Sequence, residues 1–417
     1  MTATLWVIVP LLCLGIGAFS IYVVGRLVTQ QNVWLASLTT GVFLTALLAV
    51  VPLAMITRQA VRSGAPLPSW GSADPGNVIL RSDPGALVII GTALGLGALT
   101  AMYSGRYLSL DRRYKLYYPL LLLMVTGLCG TVLAADLFNL YLFCELMSIA
   151  AYALVAFRRH SRTAIEAGFK YLVMGSVGTL FFLVGVAMIY RVEGSIALPA
   201  VMPGAAESPG VWTRAGLTFF LVGLGVKSAL VPLHTWLPDA HGRAPSSISA
   251  MLSGIIIQSA LYALLKVCLG TGMPAQVLGT ILIAVSLANM TLGNTVALTQ
   301  IDAKRLLGYS TIAQVGYMLF GIGIGLRYSI PGAIQAGFFL LVTHGVMKAL
   351  AFLSQGVCTF HLKTTTIAKL RGTAFRLPLV AVTFSVALGG LAGVPPLAGF
   401  ISKWFILSEV LQPGEPL

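Results

Sequence analysis

The sequence contains very little charge for its length. Only 9% of its 417 residues are Asp, Glu, Lys or Arg, whereas 57% are hydrophobic, and the mean hydropathy is +0.91. A soluble domain carries about 25% charged residues. This deficit excludes a soluble globular protein and indicates an all-α polytopic membrane protein.

Other absences narrow the function. No glycine-rich nucleotide motif follows a strand-like segment, and no metal, flavin or quinone motif is present, so we expect no cofactor and no catalytic activity from this chain alone. The longest polar stretch, residues 57–85, is a loop too short to form a domain. The cysteines form no CxxC pair and are interpreted as small buried hydrophobic residues: Cys13, Cys129, Cys144, Cys268 and Cys358.

Acidic residues are scarcer than basic ones, with 12 against 26 and a net charge of +14. Lys and Arg lie mostly between apolar runs, which favours the positive-inside rule over a nucleic-acid partner. Fifteen lie in loops from odd to even spans and six in the other loops. This bias predicts a prokaryotic-type inner-membrane protein with both termini on the periplasmic or outer side.

Apolar runs long enough to cross a bilayer, about 20 residues each, occur twelve times. The first run lacks the features of a cleaved signal peptide and is expected to be a membrane helix. The predicted spans are 3–25, 33–56, 86–107, 116–134, 137–157, 167–190, 213–236, 246–269, 276–297, 305–326, 332–355 and 377–410.

Ionisable side chains inside these runs are the candidate functional residues, because each costs about 3 kcal/mol or more in the bilayer. The candidates are Glu145, Lys170, Lys227, His344, Lys348 and Lys403. Glu145 and Lys227 have apolar turns on both sides and are expected to share one buried, partly hydrated network. Lys170 and Lys348 could instead extend to the membrane surface, and Lys266, near a helix end, is expected to do so.

Two of the candidate lysines have prolines close to them within the same span. Pro232 follows Lys227 in "FLVGLGVKSALVPLHTWLPDAH", and Pro395-Pro396 precede Lys403 in "GGLAGVPPLAGFISKW". Proline cannot donate its backbone hydrogen bond and clashes with the preceding turn. Backbone freed at membrane depth is tolerated only against protein or water. We therefore predict that the seventh and twelfth helices are broken beside a hydrated proton site, as in transporters built from inverted repeats.

These stretches resemble a known family. "DLFNLYLFCELMS", "KSALVPLHTWLPDAHGRAPSSISAMLSG", "DAKRLLGYSTIAQVGYM", "THGVMKALAFL" and "GVPPLAGFISKW" look like the antiporter-like, proton-conducting subunits of respiratory complex I, Mrp-type antiporters and membrane-bound hydrogenases. The resemblance spans roughly residues 83–408. It implies a fold of fourteen helices with two inverted five-helix repeats. The expected divisions are residues 1–115 for helices 1–3, 116–270 for the first repeat, and 271–417 for an incomplete second repeat.

By the same resemblance, Glu145 and Lys227 are paired proton carriers, His344 lies on a central charged axis, and Lys403 is the exit residue. Lys170 and Lys348 are assigned to the same route from their positions inside apolar spans, and not from the resemblance. The residues expected to support it are Asp136, Pro232, His234, Gln258, Pro395 and Pro396.

The sequence departs from the family pattern in two places. Gln258 in "GIIIQSALYALLK" occupies a position that is lysine in many members. It can order water but cannot hold a proton, so the path between Lys227 and His344 is in doubt or runs through water. The sequence also ends after the twelfth helix. The last two helices are therefore expected to be supplied by another subunit, lost from the fold, or cut from the sequence.

Three functions remain open at this level. The first is a proton-translocating subunit of a redox-driven complex such as complex I or a hydrogenase. The second is a subunit of an Mrp-type cation/proton antiporter, moving protons or sodium ions. The third is a structural membrane subunit that has lost conduction. All three predict other membrane subunits as partners in the lipid bilayer, including one that covers the twelfth helix.

Overall fold

The protein is almost entirely helical in the computed structural model, which describes residues 4–27, 32–71, 78–109, 111, 113–198, 210–270 and 272–411. A two-stranded antiparallel pairing joins β1 (Ser69–Trp70) to β2 (Leu80–Arg81). The helices are α1 (Leu5–Leu27), α2 (Asn32–Ser63), α3 (Pro84–Tyr107), α4 (Tyr114–Leu133), α5 (Leu137–Val155), α6 (Arg162–Glu193), α7 (Val211–Lys227), α8 (Trp236–Arg243), α9 (Ser246–Gly270), α10 (Ala275–Leu298), α11 (Ala303–Tyr328), α12 (Pro331–Leu362), α13 (Thr373–Arg376), α14 (Pro378–Ala392) and α15 (Ala398–Val410).

Within the described residues, ten of these helices are long and apolar enough to cross a membrane. The two remaining predicted spans, 213–236 and 377–410, are the interrupted pairs α7–α8 and α14–α15. The predicted class of all-α, multi-pass membrane protein with broken seventh and twelfth helices is therefore confirmed.

Three helices are much longer than their apolar runs. The helices α2, α6 and α12 each contain 32 residues, or about 48 Å at 1.5 Å per residue, against about 30 Å of hydrocarbon. For α6 the local signals explain the extra length, because Ser161 caps the first turn and Gly194, at φ +65°, ends the last. Hydropathy marks the membrane-embedded part of a helix, whereas the caps mark its ends.

The chain divides into two compact units. Unit 1 contains Met1–Lys227 and Gln258–Gly272, and unit 2 contains Ser228–Ile257 and Met273–Leu417. The chain therefore passes between units directly after Lys227, again inside α9, and a third time after Gly272. Inverted repeats are defined by internal symmetry and not by packing, so this division leaves the predicted repeat boundaries as a prediction.

Small residues let the helices of unit 1 approach closely, as membrane helices require. Gly127 on α4 shows the limit of this approach. A Cβ atom added there would lie 2.4 Å from the backbone nitrogen of Met147 on α5. Since that atom is backbone, no side-chain rotation relieves the contact.

We therefore expect Gly127→Ala to destabilise the protein by about 1–3 kcal/mol through overpacking, despite alanine's better helix propensity. Gly91→Ala on α3 is the matched control, because no atom lies within 4 Å of its added Cβ. Thermal unfolding in detergent compares the two variants. Equal midpoints would contradict this account of the α4–α5 contact.

Candidate proton-transfer sites

The ammonium group of Lys227 lies among three oxygen atoms in unit 1. Its Nζ is 2.6 Å from Ser148 Oγ, 3.0 Å from Tyr152 Oη and 3.4 Å from Glu145 Oε1. The Lys227 side chain is 4% exposed, and that of Glu145 is 23% exposed. An ammonium group has three N–H donors, so the three α5 side chains provide an acceptor for each. The expected Glu145–Lys227 pair is therefore present as a contact.

The acceptors lie on one face of α5. Glu145, Ser148 and Tyr152 are spaced i, i+3 and i+7, which places them on the same side of a helix. Gly175 on α6 makes room for the third, because a Cβ atom there would lie 1.8 Å from the Tyr152 hydroxyl oxygen. Sequence reasoning missed Ser148 and Tyr152, although their spacing from Glu145 was visible.

The end of α7 at Lys227 follows from Pro232. A proline at position i removes the hydrogen bond to the carbonyl of residue i−4, which is Ser228 here. The last residue before that carbonyl is Lys227, and α7 ends there. Lys227 therefore lies at a helix C-terminus, where the helix dipole favours a cation. Ala229, two residues later, has φ +54°, a conformation that L-residues other than glycine rarely adopt.

In unit 2, Asn289 on α10 holds the segment that follows the break. Its Oδ1 accepts the N–H of Val231 at 2.8 Å, and its Nδ2 donates to the carbonyl oxygen of Ile312 at 3.3 Å. Asn289 is fully buried. Backbone freed by the broken helix is thus satisfied by a side chain that sequence reasoning did not single out.

We expect Asn289→Leu to lower the free energy of unfolding by about 1–3 kcal/mol, because it leaves partly buried backbone groups without their partner. Asn294→Leu on the same helix is the control, since Asn294 is exposed. Thermal unfolding in detergent measures both. An Asn289→Leu protein as stable as Asn294→Leu would show that these hydrogen bonds do not hold the break.

The eleventh predicted span, α12, carries two of the candidates in unit 2. His344 and Lys348 are fully buried, four residues apart on one face. Lys348 Nζ donates to the carbonyl oxygen of Leu307 on α11 at 2.8 Å, and among the described residues no carboxylate forms an ion pair with it. Lys348 therefore does not extend to the surface, and its setting differs from that of Lys227.

Lys403 reaches back across the second break. Pro395 removes the hydrogen bond to the carbonyl of Leu391, four residues earlier. Lys403 Nζ donates to that same oxygen at 2.7 Å, and Gln314 Nε2 donates to it at 2.9 Å. Lys403 also lies 4.7 Å from the centre of the Tyr317 ring. Lys403 thus follows the prolines in sequence, but it donates to the carbonyl that Pro395 leaves without a helical hydrogen bond.

The other predicted residues lie elsewhere. Lys170 is exposed on α6 and pairs with Glu166 at 2.7 Å. Asp136 caps α5, accepting from Asn139 N at 2.8 Å and from Ile79 N at 3.2 Å. It is nine residues, about 13 Å, from Glu145 along the helix. Their assignment to the proton route stays a prediction, and the contacts do not join either of them to Lys227.

Two further predicted residues are buried. His234 lies in the segment after the break, and its Nδ1 has no hydrogen-bond partner among the described residues. Gln258 is fully buried on α9, two residues after the end of a π-helical turn at Leu252–Ile256. Such turns are frequent at functional sites.

Unit 2 also holds buried basic groups that sequence reasoning missed. The His241 ring is fully buried and stacks on Phe352, with ring centres 4.7 Å apart. Neither of its nitrogens has a hydrogen-bond partner in the described part of the chain. Lys304 is buried and donates to the carbonyl oxygen of Ala244. Both lie in quoted family motifs, so their motif context was the available signal.

No group of three or more His, Cys, Asp or Glu residues in the described ranges could hold a metal ion. The chemistry that these sites offer is proton binding at lysine and histidine, with hydroxyl and amide groups beside them.

Comparison with known proteins identifies the family. The family model described as "NADH:quinone oxidoreductase/Mrp antiporter, TM" matches residues 134–416. The chain belongs to this family.

Relatives of this family member carry three kinds of name. NADH-quinone oxidoreductase subunit N of Desulforudis audaxviator is 34% identical, covering 90% of the chain and 76% of the relative. A Na(+)/H(+) antiporter subunit of Alkalihalophilus pseudofirmus is 31% identical, covering 80% and 67%. F(420)H(2) dehydrogenase subunit N of Methanosarcina mazei is 31% identical, covering 77% and 66%.

Solved structures of membrane complexes contain chains with the same fold. A chain of the membrane-bound sulfane sulfur reductase, an archaeal respiratory membrane complex, has a TM-score of 0.84 at 27% identity. The alignment covers 99% of this family member and 82% of that chain. A chain of the Mrp complex from Dietzia sp. has a TM-score of 0.81 at 27% identity, covering 99% and 75%.

Proposed function

We propose that this chain is a proton-translocating, antiporter-like membrane subunit of a redox-driven complex. The observation that carries the proposal is the Lys227 site, where a buried lysine has three oxygen partners at the end of a broken helix. Membership of a family that contains quinone oxidoreductase and antiporter subunits supports it. Two redox-complex relatives and a redox-complex structure are among the similar proteins.

The Lys227 site is suited to holding a proton and to releasing it. Burial disfavours a charged amine, and a nearby carboxylate favours it. A change in the Glu145–Lys227 distance therefore changes the stability of the ammonium form. Ser148 and Tyr152 carry hydroxyl groups, which accept from an ammonium group and can donate to a neutral amine. Both protonation states of Lys227 thus find partners without moving the backbone.

The second candidate function is a subunit of an Mrp-type antiporter, which the Na(+)/H(+) antiporter relative and the Mrp structure favour. In that case protons would exchange for sodium ions and no electron transfer would be needed. The proton route through the Lys227 site would be the same.

A tag on this chain tests the two functions by recovering its native complex for reconstitution in sealed vesicles. For the redox function we expect proton uptake, followed with a pH-sensitive dye, during electron transfer to a quinone. For the antiporter function, added sodium would collapse an imposed pH gradient, with no redox subunit in the preparation. A complex that does neither would overturn the proposed function and favour a structural subunit.

We also propose that the termini lie on the outer side and that a partner subunit covers the α14–α15 pair. The loop charges support the first proposal. Apolar side chains exposed on this pair support the second, among them Leu379, Val382 and Trp404. A single cysteine at position 404 should cross-link to a neighbouring subunit in the native complex. Cross-linking to lipid analogues alone would contradict the covered helix.

A further inference from the structure

Lys266, which the sequence predicts to extend to the membrane surface, is mostly enclosed within unit 1 instead. Its side chain is 10% exposed, and its Nζ donates to the carbonyl oxygen of Val132 at 2.9 Å. That carbonyl belongs to the last turn of α4, where carbonyl groups lack helical partners and favour a cation. The prediction was wrong because the C-terminal turn of α4 provides a carbonyl acceptor for Lys266 inside the protein.

A carboxylate and a phenol complete this cluster. Asp83 Oδ2 lies 3.9 Å from Lys266 Nζ, and Tyr262 donates its hydroxyl to Asp83 Oδ1 at 2.5 Å. Arg81, in β2, brings a second positive charge near Lys266. The Asp83 side chain is 23% exposed, so it reaches the solvent side of the cluster. The Asp83 cluster, as we call Asp83, Tyr262 and Lys266, therefore joins a buried amine to the surface.

The amine of Lys266 is held more loosely than that of Lys227. Lys227 has three oxygen partners within hydrogen-bond distance, whereas Lys266 has one hydrogen bond among the described residues and a carboxylate at 3.9 Å. At least one N–H of an ammonium group at Lys266 thus has no oxygen acceptor in the part of the chain that the structure describes. A lysine with spare donors loses less on giving up a proton than a fully bonded one.

A polar stripe on α9 connects the Asp83 cluster with the interior of unit 1. Gln258, Tyr262 and Lys266 follow one another at four-residue spacing and lie on one face of the helix. The stripe is about 12 Å long. Next to its inner end, Ser259 Oγ lies 3.6 Å from Met147 Sδ. Met147 precedes Ser148, which accepts from Lys227.

The outer end of this stripe is defined by topology. The Asp83 cluster and the Val132 carbonyl lie at the loop between α2 and α3, the end of α9 and the last turn of α4. These three segments lie at the ends of the second, fourth and eighth predicted spans, so they are on the same side of the membrane. Under the proposed orientation this is the side with few basic loop residues, the outer side.

We propose that the Asp83 cluster is a second proton-carrying site, through which unit 1 exchanges protons with the aqueous phase on the side of the α2–α3 loop. The Lys266 ammonium gives one proton to the Asp83 carboxylate, directly on closure of the gap or through one water. A neutral amine and a carboxylic acid result. The acid then gives this proton to water, and the amine takes the next proton that arrives along α9.

The inference rests on the proposed function, and Lys266→Arg is its sharpest test. Arginine keeps the charge, the ion pair and the contact with the α4 carbonyl, but it is not deprotonated in proteins. We expect normal assembly and at least about tenfold slower proton transport, because a proton carrier has been lost. Transport by Lys266→Arg within twofold of wild type would overturn the inference and leave a static clamp. Lys369→Arg, at an exposed lysine, is the matched control.

Asp83→Asn is a second variant, which tests the inference if the larger arginine does not fit at position 266. Transport is measured per assembled complex, quantified on native gels. The inference predicts slow transport per assembled complex and an altered dependence on the pH of the α2–α3 side. A static clamp predicts fewer assembled complexes that each transport normally, with an unchanged pH profile, and this result would overturn the inference.

If wild type transports and Lys227→Ala does not, while both cluster variants transport normally, the inference alone fails. A wild type without transport contradicts the proposed function itself.

Discussion

Glu145→Gln and Lys227→Ala are each expected to abolish most proton transport while the complex still assembles. Under the proposed function Lys227 is the proton-binding group of its site, and alanine leaves no amine. Glutamine at position 145 keeps the shape but removes the carboxylate that, among the described residues, lies within salt-bridge distance of Lys227. The ammonium form then loses its counter-charge, and the proton affinity of the site no longer follows the Glu145–Lys227 distance. We expect losses of about a hundredfold or more, in the range for an essential proton-transfer group.

The two variants should differ in stability. Removing one partner of a buried pair costs about 3–5 kcal/mol when the other charge stays buried. Lys227→Ala leaves Glu145, which is partly exposed, so the loss of stability should fall below that range.

The double variant should transport protons no more slowly than either single variant, because the two groups act as a unit. Glu193→Gln and Lys369→Ala change exposed charges and are the controls. Normal transport in vesicles by both Lys227→Ala and Glu145→Gln would contradict a coupled site.

The two helix breaks were predictable because their cause is local. The position of Pro232 identifies Ser228 as the carbonyl that loses its hydrogen bond, and α7 ends one residue earlier. The same rule applied to Pro395 identifies Leu391, whose carbonyl accepts from Lys403 and Gln314. The sequence predicted the broken helices and their lysines, but not that Lys403 would turn back to the freed carbonyl.

The tertiary partners were not predictable from the spacing of residues along one helix. Asn289 is 58 positions from Val231, and the sequence contains no signal that pairs them. Lys266 lies at the end of a predicted span, where surface extension is the common outcome. Its burial depends on the α4 carbonyl of Val132, 134 positions away. Ser148 and Tyr152 are the exception, since their spacing from Glu145 marks the same helix face.

The lysines of the two units have different partners, and this difference bears on their chemistry. In unit 1, Lys227 and Lys266 each have a carboxylate within 4 Å. In unit 2, the acceptors of Lys348 and Lys403 are backbone carbonyls. A carboxylate can take the proton or move with it, whereas a carbonyl only stabilises the ammonium form. We therefore infer that the lysines of unit 1 are the better placed to pass protons to a partner side chain.

Gln258→Leu is expected to stop proton transport, and Gln258→Lys to be tolerated. Gln258 is fully buried on α9, on the face that also carries Tyr262 and Lys266. An amide offers donors and acceptors that hold water, but it cannot store a proton. Under the proposed function, a proton therefore crosses this point in a single transfer through ordered water. Leucine removes both hydrogen-bonding ends and dries the gap, whereas lysine keeps a polar group that can carry the proton itself. Gln276→Leu, at an exposed position of α10, is the control, and transport per assembled complex is the measurement. Equal rates for wild type and Gln258→Leu would show that protons do not pass this residue and would favour a structural subunit.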